Sequence, residues 1–91
     1  MEFKITHHTG FSAPADALDI LWQHLESRHD GVSFTKGSKQ IYATWRADAP
    51  VSMTRDERDE AGRDVVLAVV RGVCERAPEL KLDWFAVSPH R

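Results

Sequence analysis

The chain has a single cysteine, Cys74, among its 91 residues. A lone thiol closes no intrachain disulfide and supplies no cysteine-rich zinc site, and it points to a reducing, cytoplasmic setting. Long apolar runs are also missing: none approaches the roughly 18 residues that a membrane span needs. Met1-Glu2-Phe3-Lys4 lacks the basic stretch and apolar core that open a secretory signal. Charge of one sign is missing too. Lys and Arg number 12 against 14 Asp and Glu, a net charge of −2, whereas domains that grip nucleic acid through its phosphates carry a basic excess. HExxH, Cys/His zinc spacing and GxxxxGK[ST] are all absent. The sequence therefore calls for no cofactor and no metal, and it makes a nucleic-acid or membrane partner unexpected. No internal repeat, low-complexity tract or linker divides it. Residues 1–88 are expected to form one domain, with 89–91 as a short tail.

What is present suits a small folded core: 42% hydrophobic residues, 29% charged, three Trp and four Phe. Glu2 to His8 alternates, with Phe3, Ile5 and His7 on one side, as a half-buried strand does. After Thr9-Gly10-Phe11, Ser12 offers an N-cap and Pro14 suits a first helical turn. Leu18, Leu21, Trp22 and Leu25 then recur on one helical face. His29 extends that face at the last turn, and Gly31 reads as the stop. Val32-Ser33-Phe34-Thr35 and Gln40-Ile41-Tyr42-Ala43 flank Lys36-Gly37-Ser38-Lys39. A Gly37-Ser38 type II′ turn predicts that Phe34 pairs with Ile41 and Val32 with Ala43, and Trp45 continues the buried side. Thr54 and Glu57 have capping-box spacing, and the acidic first turn suits the helix dipole. The second helix runs to Ala77, where Pro78 ends it. Leu80, Leu82, Trp84 and Ala86 alternate with Lys81, Asp83, Phe85 and Val87 as a last strand.

The order is β-α-β-β-α-β. This resembles the ferredoxin-like, split βαβ plan, an α+β fold with a four-stranded antiparallel sheet and both helices on one face. The usual strand order of that plan is 4-1-3-2. It implies an architecture and no particular activity.

Six features could carry chemistry. Adjacent His7 and His8 point to opposite faces of a strand, so they do not converge on one ion. The run from Arg55 to Glu60 alternates in sign at a helix start and reads as a solvated face. Gly37 between two lysines is accounted for by its turn, and the lysines discourage edge pairing. Cys74 lies late in a helix among Val70, Val73 and Ala77, far from an activating N-terminus. The second helix is apolar over roughly two-thirds of its circumference, more than a helix on a sheet needs. Leu67 and Cys74, with Ile20 on the first helix, are therefore expected to leave apolar surface for a homodimer or partner.

The most informative feature is the sheet face that the helices do not cover. Alternation places Lys4, Thr6, His8, Ser33, Thr35, Tyr42, Thr44, Arg46, Lys81, Asp83, Phe85 and Val87 there. Its candidate binding surface is His8, Tyr42, Thr44, Arg46, Lys81, Asp83 and Phe85. The favoured expectation is a non-catalytic cytoplasmic module, self-associating, that meets a protein partner or small ligand on this face. The alternative is a small cofactor-free enzyme of monooxygenase or isomerase type, with a pocket between sheet and helices or between subunits. His7, His8, Tyr42 and Arg46 would be its polar groups. A third class is single-stranded nucleic-acid binding, which the charge and the absent basic-aromatic motif disfavour.

Overall fold

The computed structural model describes residues 2–7, 14–25, 28–29, 31–46 and 53–90. The elements in chain order are β1 (Glu2–His7), α1 (Ala17–His24), β2 (Arg28–His29), β3 (Val32–Lys36), β4 (Ile41–Trp45), α2 (Arg55–Arg76), a 3-10 turn (Leu82–Trp84) and β5 (Phe85–Pro89). The five strands form one antiparallel sheet in the order β2-β3-β4-β1-β5. Its four longer strands and two helices are the α+β, ferredoxin-like split βαβ arrangement expected from the element order. The short β2 extends the sheet beyond β3.

Alternation along each strand builds the core. Phe3 and Ile5, Val32 and Phe34, Ile41 and Ala43, and Phe85 and Val87 are buried, and Ala17, Leu18 and Leu21 of α1 and Val66, Val69, Val70 and Val73 of α2 pack with them. Helix α2 starts where its capping box requires. The Glu57 N–H donates to Thr54 Oγ1 and the Thr54 N–H donates to Glu57 Oε1, both at 3.2 Å. Two otherwise unpaired donors are thereby satisfied, an arrangement worth about 1 kcal/mol. Arg63 Nε reaches from α2 to the carbonyl of Val87 at 3.0 Å, tying the helix to β5. Gly62 sets the closest approach of α2 to the sheet: a Cβ there would lie 2.6 Å from both Phe3 Cε2 and Trp45 Cε3.

Four expectations are corrected. Helix α1 ends at His24, and His29 lies in β2, opposite Val32, rather than on the helix. Gly31 is not a helix stop. It has φ +80° between β2 and β3, a conformation that glycine adopts without a Cβ clash. The β3–β4 register is offset by two residues from the predicted one: Phe34 faces Ala43 and Val32 faces Trp45. The Gly37 N–H donates to the Gln40 carbonyl, so the chain reverses at Ser38-Lys39. A two-residue offset keeps every side chain on its expected face, because the period is two. Lys36 faces Ile41 and bonds Asp19 of α1 at 2.7 Å.

The fourth correction matters most for function. The last strand begins at Phe85, not Leu80, because Leu82–Trp84 forms a 3-10 turn. A turn of period three breaks the two-residue alternation and shifts its phase. Phe85 and Val87, expected on the open face, are 5% and 4% exposed in the core. Lys81 lies before the turn and Asp83 within it, so neither belongs to the sheet. The strand also continues to Pro89, and the His90 N–H donates to the Glu2 carbonyl at 2.9 Å, where a loose tail was expected.

Candidate functional site

Directly paired residues of antiparallel strands share a face, so the register lays out the open side in rows. One row crosses the middle of the sheet: Thr35, Tyr42, Lys4 and Ser88, from β3, β4, β1 and β5. The next contains Arg28, Ser33, Thr44 and Glu2, by register position. A third begins where the Arg46 N–H donates to the Gly31 carbonyl at 3.3 Å.

Tyr42 is the large side chain at the centre. Its ring lies over Gly37, where a Cβ would fall 2.8 Å from Tyr42 Cε2. The Gln40 side-chain amide donates to its hydroxyl. The His90 ring stands 5.0 Å away by centroid, tilted by 59°. Three neighbours therefore hold the ring, and Tyr42 is half-buried rather than free to swing.

Beside it lies a recess of about 400 Å³, lined by Gly31, Ser33, Thr44 and Arg46. Its origin is local. Glycine, required by the positive φ at Gly31, leaves no side chain opposite Arg46, and the gap opens beside the cross-strand Ser33–Thr44 pair. Two residues of the expected binding surface, Thr44 and Arg46, line this recess, and Tyr42 lies one row away on the same strand. Lys81, Asp83 and Phe85 are not part of it, and His8 lies outside the described residues. Reading the sequence alone missed Gly31 and His90. Asp30-Gly31 is the dipeptide that two-residue hairpins favour, and it was the available signal.

The remaining candidates resolve differently. His7 lies on the helix side of β1, opposite Phe85, and its buried Nε2 has no hydrogen-bond partner among the described residues. Burial raises the pKa of the Cys74 thiol and keeps it protonated, as suits a packing residue. Leu67, Cys74 and Ile20 are half-buried and pack against the core, so less apolar surface is left over than the helical pattern suggested. Met53, Glu57, Glu60, Ala61 and Asp64 line a shallower depression on α2. Among the described residues, no group of three or more His, Cys, Asp or Glu could hold a metal ion, and no helix is long and apolar enough to cross a membrane. No protein-family model, curated protein or solved structure matches this chain.

Proposed function

We propose that this domain is a non-catalytic binding module that receives a small ligand or a partner's side chain on its open sheet face. The observation that carries the reading is the recess of about 400 Å³ bounded by Gly31, Ser33, Thr44 and Arg46. That volume lies at the small end of the range of ligand pockets, roughly 300–1,000 Å³. Tyr42 and His90 supply aromatic surface nearby, and Lys4 and Arg46 supply charge. The covered face, by contrast, is filled by its own side chains.

The test is a fragment screen by amide chemical shift, with neutral and charged compounds. Hits should displace the signals of Ser33, Tyr42, Thr44 and Arg46. Hits confined to the helix layer, or a screen without hits, would remove the reading. Ile20, Leu67 and Cys74 are half-covered and the open face is polar, which leaves little apolar surface for self-association. Light scattering over a concentration series should give a monomer, and a tight dimer would move the search to the subunit interface.

One observation favours the enzyme alternative. The His7 Nε2, buried and without a hydrogen-bond partner among the described residues, is the kind of group a proton-transfer site uses. Ligand shifts that gather around His7 and Phe85, rather than around Thr44 and Arg46, would favour that alternative over the binding module.

A further inference from the structure

The open-face recess has a definite donor chemistry. Ser33 and Thr44 are a directly opposed cross-strand pair, and both line the recess, so two hydroxyl-bearing side chains stand next to each other at its wall. Arg46 stands at its rim, exposed, just past the end of β4 and two residues on from Thr44. Among the described residues, neither hydroxyl nor the guanidinium has a hydrogen-bond or ion-pair partner. Two hydroxyl-bearing side chains and one guanidinium thus border a gap that Gly31 leaves unfilled. A cationic guanidinium beside hydroxyls suits a group of clustered acceptor oxygens, above all an anionic one.

We infer that the Gly31–Ser33–Thr44–Arg46 recess binds a small oxyanion, a carboxylate or a phosphate group, with Arg46 as the charged contact and the Ser33 and Thr44 hydroxyls as orienting donors. This rests on the open face being the binding surface, and it adds the ligand's chemical class. Glu2 opposes it. It sits in register with Thr44 from β1, and it is the described carboxylate on this part of the face. Asp30 and Asp48 neighbour Gly31 and Arg46 in sequence and lie outside the described residues. The site therefore holds an anion against the Glu2 carboxylate, and its affinity should be modest and sensitive to salt.

Sodium phosphate and sodium succinate are titrated separately into the isotopically labelled protein, with sodium chloride at matched ionic strength as the control. The expected result is saturable movement of the Gly31, Ser33, Thr44 and Arg46 amides with phosphate or succinate and none with chloride. Which of the two saturates first distinguishes a phosphate site from a carboxylate site. Arg46→Gln should weaken binding about tenfold or more, since a charge-assisted contact is lost. Ser33→Ala should weaken it less, and Glu2→Gln should strengthen it a few-fold. Arg46 and Glu2 are exposed, so these variants should fold, and their amide spectra will show whether they do. Failure of both anions to saturate overturns the inference, as does binding that survives Arg46→Gln. If neutral fragments still bind the recess in that case, the binding-module reading stands and only the ligand class is wrong. If nothing binds the open face, both fall.

Discussion

The two faces of this sheet come from the same strands, one residue out of step. Phe3, Ile5, Ile41 and Ala43 are fully buried, while their sequence neighbours Lys4, Thr6, Tyr42 and Thr44 stay partly exposed. On the covered side, apolar groups interlock with two helices, and shape decides what is tolerated. On the open side, the Ser33 and Thr44 hydroxyls and the Arg46 guanidinium have no partner among the described residues, and donor chemistry decides what is attracted. Stability and binding should therefore separate by face, and a residue's parity along its strand should tell which it serves.

The strongest way to break that division is at Phe85, the residue whose parity the 3-10 turn reverses. Removing its ring from the core should cost about 3–5 kcal/mol, as large-to-small core changes do. Phe85→Ala should then lower the urea midpoint sharply. If it costs under about 1 kcal/mol, the residue is on the open side after all and the strand phase is wrong.

A sharper probe is Gly62→Ala. Helix propensity alone favours alanine by about 1 kcal/mol in the interior of α2. The added methyl, however, would press on Phe3, which is fully buried, and on Trp45, which can yield a little. Overpacking costs about 1–3 kcal/mol. With contacts this short the cost lies at the upper end, so packing should win, for a net loss of up to about 2 kcal/mol. A stabilised variant would mean that α2 does not press the sheet at this point.

On the open face the effects should be smaller. Tyr42→Ala loses a half-buried ring and its contact with His90, about 1 kcal/mol. Tyr42→Phe keeps the ring, gives up the hydroxyl that accepts from Gln40, and should change stability by less than about 0.5 kcal/mol. If the two variants unfold alike, the ring is not what Tyr42 contributes.

Much of the covered face was legible because alternation and capping are local. Phe3, Ile5, Phe34 and Ile41, and the Thr54–Glu57 box, followed from spacing alone. Register was less legible, since two candidate turns in Lys36-Gly37-Ser38-Lys39-Gln40 place every side chain on the same face. What accompanies the observed register is visible only in the fold: Tyr42 lies over Gly37, and Lys36 bonds Asp19 of α1. The last strand misled because Leu82 and Trp84 continue an apparent alternation into a turn. The adjacent apolar pair Trp84-Phe85 was the visible sign of the phase break. Of the candidate surface, Tyr42 and Thr44 were legible because β4 keeps its phase throughout, and Arg46 because its backbone bond to Gly31 carries the pairing one residue past the strand. Gly31 was not, because a glycine after a helical pattern fits a stop as well as a hairpin.

The smallest effect concerns the rim of the helix layer and depends on pH. Glu79, after α2, bonds His24 at the end of α1, Oε1 to Nε2 at 2.6 Å. Its own backbone N–H first, and the His24 ring second, hold its carboxyl below the ordinary value of 4.5. A folded-state pKa below the unfolded one means that the unfolded chain binds the proton more readily. The stabilisation is therefore present above pH 4.5 and fades as pH falls through the folded value. Both side chains are about half exposed, 42% and 51%, so solvent screens the pair and the gain is slight. Glu79→Gln should lower the unfolding midpoint a little near about pH 6 and match the parent once the pH has fallen far enough to protonate the parent carboxyl in the folded state. A difference that persists unchanged at the lower pH would assign the effect to packing at the helix rim rather than to charge.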